Sequence, residues 1–182
     1  MRGAIVGIDI GTTRVTTVVA RPEKDGKFRV IGVGSSPSAG VRRGAVVDAE
    51  AASLALRRSV HEASRSSGVP VRSALVAIGG PHLGAFSIRG TVAVSRADGE
   101  VTEDDVRRVV QAAEGLIPRN PNREVIHLVP RQFRVDGEGG LTDPVGVVGM
   151  KLDVEALVID SAKPALSNLI KCCELVGIEI ED

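Results

Sequence analysis

Residues able to hold an anion and a cation stand together near the start of the chain. Asp9 lies near the end of a run of apolar residues, and Gly11, Thr12 and Thr13 follow it after Ile10. A turn of this composition directs backbone N–H groups and two hydroxyls into one small volume, where a phosphate can bind. Asp9 would repel a bare phosphate, so its presence favours a divalent cation held between them through water. A purely conformational role fits these residues equally well, because glycine suits turns and threonine suits strands.

A dinucleotide-binding loop is a poorer interpretation of the same stretch. Gly7-x-Asp9-x-Gly11 is not the G-x-G-x-x-G pattern, and the residues after it predict a strand rather than a helix. The stretch at 32–37 also lacks the third glycine.

The elements predicted around this turn form a mixed sheet with a crossover helix. Apolar and β-branched runs predict three strands joined by tight turns, and Asp48 and Gly68 mark the two ends of a helix. A strand over 71–78 follows that helix, so it is expected to pair in parallel with an earlier strand. The segment 35–44 between the third strand and the helix is predicted to be a flexible link.

The middle of the chain predicts a unit of its own, in the order strand, helix, strand, strand. The strands are expected at Phe86–Ser95, Glu124–Val135 and Met150–Ile159, and the helix begins after Thr102 with one apolar face. The acidic residues 103–105 are therefore interpreted as helix-start electrostatics rather than as a metal site.

The remaining chemistry-bearing side chains indicate no further site. Cys172 and Cys173 are adjacent in a predicted helix, where neighbouring side chains diverge, so one is expected in the core and the other partly exposed. His61 has no second ligand at helical spacing and is expected to be a surface histidine or a hydrogen-bonded structural one rather than a metal ligand. His127 and Asp136 lie in a strand-like stretch and are interpreted as structural, while no role follows for His82.

Composition excludes several classes of function. The 182 residues carry 23 basic and 23 acidic side chains, so no net field recruits nucleic acid or anionic lipid. Aromatic residues make up only 2% of the chain, which removes stacking platforms for bases. No apolar run approaches the roughly 20 residues of a membrane span, and the start is a poor signal peptide, so a cytoplasmic location is expected.

Taken together, these segments resemble the N-terminal part of the bacterial cell-division family FtsA, in the actin-like ATPase superfamily. The resemblance covers essentially the whole chain. Gly7–Thr13 is similar to the family's first phosphate loop, although Arg14 stands where lysine is common, and 40–48 is similar to its connector. The most specific part is the His-x-x-Pro and Val-Asp-Gly combination in 127–137, followed by Asp-Pro-x-Gly-x-x-Gly-x-x-Leu in 143–152.

The resemblance implies an α/β, actin-like (ribonuclease H-like) subdomain 1A formed by 1–83 and 160–182. It implies that 84–159 is an inserted strand-helix-strand-strand subdomain 1C, of SHS2 type, in place of the 1B subdomain of actin. ATP and Mg²⁺ are the implied cofactors. The residues implied to bind them are Asp9, through a metal-bound water, together with Gly11, Thr12, Thr13 and Arg14.

The resemblance also implies partners and a location. The family links FtsZ filaments to the inner membrane at the division site, associates with itself into filaments, and recruits later division proteins such as FtsN through subdomain 1C. It implies at most a slow ATPase for a full-length protein, located on the cytoplasmic face of the membrane.

The chain stops as a strand begins, so we expect it to be cut before the second phosphate loop, the adenosine site, the lobe that meets FtsZ and the membrane-targeting helix. The first phosphate loop alone offers two or three charge-assisted hydrogen bonds, each contributing roughly 1.5–3 kcal/mol to binding. Immobilising a ligand costs about 4 kcal/mol or more, which these few bonds must offset. Residues 1–182 alone are therefore expected to bind ATP at millimolar strength or not at all.

The alternatives are a pilus-assembly ATPase of the PilM type, and a sugar-kinase or chaperone relative with a similar turn.

Overall fold

The computed structural model describes residues 3–182, which form two compact units. One unit comprises the chain up to His82 together with Ala162–Asp182, and the other comprises Leu83–Ser161. The elements, in chain order, are β1 (Ile5–Ile10), β2 (Arg14–Pro22), β3 (Phe28–Pro37), β4 (Val41–Arg42), β5 (Ala45–Val46), α1 (Ala49–Ser67), β6 (Ser73–Ala77), β7 (Leu83–Ala93), α2 (Glu103–Gly115), β8 (Arg123–Val135), β9 (Glu138–Leu141), β10 (Lys151–Ala162), α3 (Lys163–Glu174) and β11 (Glu179–Ile180).

The first unit is built on a five-stranded sheet in the order β11-β6-β1-β2-β3. The three N-terminal strands are antiparallel neighbours, as the tight turns predicted, and β6 pairs in parallel with β1. The predicted crossover through α1 is confirmed by that parallel pairing. Apolar residues at alternate positions of β1 and β2 are buried against the helices; those with the least exposure are Ile8, Ile10, Val15 and Val19.

Helix α1 begins and ends where its capping residues predict. The Asp48 carboxylate accepts a hydrogen bond from the N–H of Ala51 at 3.0 Å, and Gly68 closes the helix at φ 68°. The helix packs closely over β3, where a Cβ on Gly34 would lie 1.9 Å from the carbonyl oxygen of Ser59. Glycine is therefore required at position 34 for this helix to reach the sheet.

The segment 35–44 is not the flexible link that the sequence predicts. β3 continues to Pro37, because β2 is long enough to pair with it as far as Arg14. The chain then makes the small hairpin β4–β5, whose tip, Arg43 and Gly44, has positive φ at both residues. The small side chains at 38–40 and 44 allow the chain to turn this tightly, so the segment follows a defined path.

The prediction that one cysteine of α3 is partly exposed is wrong, because both Cys172 and Cys173 are fully buried. Helix α3 contacts α1, β5 and β11, and the segment after the helix returns over it. The carbonyl oxygen of Cys173 accepts the N–H groups of Val176 and Ile178, each at 3.0 Å. Two neighbouring positions can both be buried because the helix is covered on more than one side.

The second unit is a four-stranded sheet in the order β7-β10-β8-β9 with α2 packed on one face. Its core contains Val109 and Ala113 of the helix and Leu152 and Val154 of β10. The helix lies so close to β7 that a Cβ on Gly90 would lie 2.5 Å from the carbonyl oxygen of Val109. The predicted two-layer unit is thus present, with a fourth strand that the sequence analysis did not predict.

That additional strand, β9, follows a two-residue turn made by Asp136 and Gly137, both with positive φ. Asp-Gly between two strand-like runs is the usual sequence of such a turn, and it was the signal for this hairpin. The Asp136 carboxylate also accepts the N–H groups of Met150 and Lys151, at 3.1 Å and 2.9 Å. These bonds agree with the structural role predicted for Asp136.

Candidate functional site: the turn after Asp9

Asp9 lies at the carboxyl end of β1, on the face of the sheet opposite the main core. Its neighbours Ile8 and Ile10 are buried, whereas the Asp9 side chain is exposed. Its partner in the parallel strand β6 is Ala77, so the ends of both strands meet at this edge. Ligands of α/β proteins bind at the carboxyl ends of parallel strands, which makes this edge a suitable place for a ligand.

Gly11 keeps the turn between β1 and β2 narrow. Its N–H donates to the carbonyl oxygen of Arg14 at 3.0 Å, so this N–H closes the turn and is not available to a phosphate. A Cβ on Gly11 would lie 3.0 Å from that same oxygen and 3.6 Å from Asp9 Oδ2. Its φ is not positive, so close approach to the backbone and to the carboxylate is the reason for glycine here.

Thr12 joins this turn to the tip of the β4–β5 hairpin. Its hydroxyl oxygen accepts the N–H of Gly44 at 2.9 Å. As an acceptor in that bond, the hydroxyl keeps its own hydrogen for donation to an anion. The position of the hydroxyl is therefore fixed by a segment more than thirty residues away in sequence.

A third loop completes the cluster. A Cβ on Gly44 would lie 1.9 Å from the carbonyl oxygen of Gly79, and a Cβ on Gly80 would lie 2.5 Å from that of Arg43. The residues after β6 thus touch the hairpin tip that positions Thr12. The sequence did not predict the contribution of Gly44, because the glycines of 35–44 were interpreted only as residues that allow unusual backbone angles. No local pattern indicates a contact between two residues 32 positions apart.

The other predicted site residues lie at the same turn. Thr13 and Arg14 are exposed, and the carbonyl oxygen of Thr13 accepts the N–H of Ser38 at 3.0 Å. Arg14 is the first residue of β2 and pairs with Pro37 of β3. The structure therefore gathers all five predicted residues, from Asp9 to Arg14, around one turn.

Within residues 3–182, no group of three or more His, Cys, Asp or Glu side chains could hold a metal ion. His61 is exposed on α1, as predicted, and His127 is exposed on β8. A cation at the turn would therefore depend on Asp9, water and a ligand's own oxygens.

Asp105, in the acidic cluster at the start of α2, has a structural role. Burial alone would raise the pKa of Asp105, but hydrogen bonds from Thr102, Arg108 and Ser95 together hold it well below its usual range. The Asp105 carboxylate accepts the backbone N–H of Thr102 at 2.9 Å, and the Thr102 hydroxyl oxygen accepts the N–H of Asp105 at 3.3 Å. This reciprocal capping box confirms the interpretation as helix-start electrostatics.

Comparison with known proteins identifies the inserted unit. Residues 80–160 match the family model described as the SHS2 domain inserted in FTSA. In fold, the whole chain is similar to a solved structure titled PilM-PilN type IV pilus biogenesis complex, with a TM-score of 0.65, 15% identity and coverage of 47% of that chain. A ribonuclease H-like sheet with an inserted SHS2 domain defines the class as an actin-like α/β protein.

The curated relatives that the chain resembles are cell division proteins. The chain is 37% identical over 177 residues to cell division protein FtsA of Bacillus subtilis, covering 97% of the chain and 40% of the relative. It is 34% identical to FtsA of Pseudomonas aeruginosa and 31% identical to FtsA of Escherichia coli K12, covering 42% of each. Over nearly its whole length the chain is similar to FtsA proteins, and it spans about two-fifths of the length of these relatives.

No helix in the described residues combines the length and the apolar character needed to cross a membrane.

Proposed function

We propose that this chain is part of an actin-like cell-division adaptor and contributes a phosphate-binding turn and a docking domain to it. In this proposal the unit containing Asp9 is subdomain 1A and Leu83–Ser161 is subdomain 1C. The complete protein links FtsZ filaments to the inner membrane, associates with itself and recruits later division proteins, FtsN among them. Similarity to FtsA proteins over nearly the whole chain supports this role, together with the SHS2 match over 80–160.

The turn after Asp9 is proposed to hold the phosphates of Mg²⁺-ATP. The observation that carries this assignment is the exposed Asp9 carboxylate beside a turn whose Thr12 hydroxyl is held by Gly44. Asp9 would hold Mg²⁺ through its water shell, and the Thr12 hydroxyl and the N–H groups of Thr12 and Thr13 would face the phosphates. Gly11 acts by allowing the close approach. Mg²⁺ supplies neutralisation of phosphate charge, without which the carboxylate would repel the ligand.

Hydrolysis is at most slow in this proposal. The pilus-type alternative rests on similarity in fold at 15% identity, which supports the actin-like architecture and nothing more specific.

The nucleotide proposal is tested by titrating Mg²⁺-ATP into the full natural protein that contains this chain. Asp9→Asn keeps the size of the side chain and removes the charge, so we expect binding to weaken at least tenfold. Asp25→Asn is the matched control, since Asp25 is an exposed carboxylate at another turn, paired with Lys27. Equal affinity of wild type and Asp9→Asn would contradict a role for the turn in Mg²⁺-nucleotide binding.

The adaptor proposal is tested separately by flotation with lipid vesicles. The full natural protein is mixed with FtsZ filaments and vesicles of anionic lipid, and the fraction of FtsZ that floats is measured. Co-flotation of FtsZ that depends on the protein is the expected result. FtsZ that remains in the dense fraction while the protein itself floats would contradict the link.

A further inference from the structure

Arg43 has a backbone conformation that is unfavourable for arginine. It forms the two-residue turn between β4 and β5 together with Gly44, and φ is positive at both residues, 48° and 77°. Hairpin turns of this kind favour asparagine or aspartate followed by glycine, because these residues tolerate the left-handed region better than longer side chains do. The turn therefore carries an arginine where its backbone conformation favours another residue.

The turn between β8 and β9 provides a comparison. Among residues 3–182, Arg43 and Asp136 are the two residues other than glycine with positive φ. Asp136 is of the favoured type, and its carboxylate accepts the N–H groups of Met150 and Lys151. The Arg43 side chain, in contrast, is exposed and makes no hydrogen bond or ion pair within residues 3–182. No contact in this part of the chain accounts for an arginine at position 43.

The contacts of the hairpin tip hold Arg43 beside the turn after Asp9. The N–H of Gly44 donates to the Thr12 hydroxyl oxygen at 2.9 Å. The Cα of Arg43 is two covalent bonds from that nitrogen, so it lies within about 6 Å of the Thr12 hydroxyl. A Cβ on Gly80 would lie 2.5 Å from the carbonyl oxygen of Arg43, so close packing also limits movement of this backbone. The guanidinium of a side chain anchored here can reach a ligand at the turn.

The charges around the turn suit a polyphosphate. Asp9 is the one carboxylate in 9–14, whereas Arg14, Arg42 and Arg43 are exposed arginines at the turn and the hairpin tip. None of these three arginines forms an ion pair with another residue of 3–182. A nucleoside triphosphate keeps a net negative charge after it binds one Mg²⁺, so further cations favour binding. Guanidinium groups bind phosphate oxygens through two donors in one plane.

We propose that Arg43 binds a phosphate oxygen of the nucleotide, and that this role explains arginine at a position with positive φ. The inference rests on the phosphate site proposed above and adds to it a residue from outside the turn. Unfavourable backbone conformations persist at binding sites where the surrounding structure holds them in place. Here the bond between Gly44 and Thr12 and the packing against Gly80 hold the conformation.

Arg43→Asn separates binding from folding. Asn-Gly is the preferred sequence for this turn, so we expect an unchanged or higher thermal midpoint for the full natural protein without nucleotide. Asparagine carries no charge, so we expect the affinity of that protein for Mg²⁺-ATP to fall at least tenfold. Arg43→Lys keeps the charge and should bind Mg²⁺-ATP more tightly than Arg43→Asn does. Equal losses in the two variants would contradict an electrostatic contact with phosphate.

Arg58→Gln is the matched control, since Arg58 is an exposed arginine on α1 and its replacement should leave nucleotide affinity unchanged. If Arg43→Asn binds like wild type while Asp9→Asn binds weakly, the role of Arg43 is wrong and the phosphate turn stands. Weaker binding together with a lower thermal midpoint would make Arg43 a structural residue and overturn the inference. If the wild-type protein does not bind Mg²⁺-ATP, the proposed phosphate site and this inference are both wrong.

Discussion

The hydroxyl oxygen of Thr12 accepts the backbone N–H of Gly44 at 2.9 Å, and this bond connects two turns that are 32 residues apart. We place the Thr12 side chain against a phosphate, and this bond fixes its position. The hairpin contributes only a backbone N–H to the bond. A hydrogen bond to a backbone group limits the hydroxyl to one side of the turn and leaves its hydrogen to donate. The geometry of the proposed site therefore depends on the path of residues 40–48 as well as on the turn itself.

Thr12→Val tests that dependence with almost no change in side-chain shape. Valine cannot accept the N–H of Gly44, so we expect the free energy of unfolding to fall by about 1 kcal/mol and Mg²⁺-ATP binding to weaken. Urea denaturation and a nucleotide titration measure the two effects. Thr16→Val, at a neighbouring position of β2, is the control. Indistinguishable nucleotide affinities for the two variants would contradict the positioning role of the Thr12 hydroxyl.

Gly44→Ala tests the other side of the same contact. Position 44 has φ 77°, and a Cβ there would lie 1.9 Å from the carbonyl oxygen of Gly79. The backbone must shift to relieve this overlap, so we expect a loss of at least about 2 kcal/mol in the free energy of unfolding. Gly115→Ala is the control, because a Cβ at Gly115 would meet nothing within 4 Å. Equal stabilities of the two variants would show that the hairpin tip is not tightly packed.

Asp105 is predicted to stabilise the second unit most strongly near neutral pH. The pKa of this carboxyl is lowered in the folded protein, so its contribution is fully present above the unfolded value of about 4 and is lost as pH falls below it. Asp105→Asn removes the charge, and we expect it to destabilise by about 2–4 kcal/mol at pH 7. Urea unfolding at pH 7 and pH 3 should show a smaller difference from wild type at the lower pH. A difference that does not shrink with acid would contradict this linkage.

The sequence predicts the elements of this fold better than the contacts between its loops. Asp48, Gly68 and Thr102 mark helix ends through local hydrogen bonds, which depend on neighbours within a few residues. The bond between Thr12 and Gly44 depends instead on where two distant turns meet, and no local pattern specifies that. The hairpin after Val135 is an intermediate case, because its Asp-Gly turn is a local signal but the strand that follows it, β9, is only four residues long and rich in glycine.

The two cysteines are expected to be unreactive in the folded protein. Burial raises the pKa of Cys172 to about 11, and burial together with the charges of Cys172 and Glu174 raises the pKa of Cys173 to about 12. Thiolate is the reactive form, so at pH 8 neither thiol should react with a disulfide reagent on the time scale of minutes. In urea both should react at once. Rapid labelling of one thiol in the native protein would show that α3 opens.

Arg123 and Asp160 form a two-pronged ion pair that ties the start of β8 to the end of β10. Arg123 Nε donates to Asp160 Oδ2 at 2.8 Å and Nη2 donates to Oδ1 at 2.6 Å. Hydrogen bonding by Arg123 holds the pKa of Asp160 below its usual range, so the pair contributes above pH 4 and weakens as acid protonates the carboxyl.

Arg123→Lys keeps the positive charge of this pair and removes its planar fork. An ammonium group cannot reproduce both bonds, and Asp160 is mostly buried, so we expect the free energy of unfolding to fall at pH 7. Arg107→Lys is the matched control, since Arg107 makes an exposed pair with Asp104 on α2 that should contribute little. Equal urea midpoints for the two lysine variants would mean that positive charge alone, without the planar guanidinium, gives the Arg123–Asp160 pair its contribution to stability.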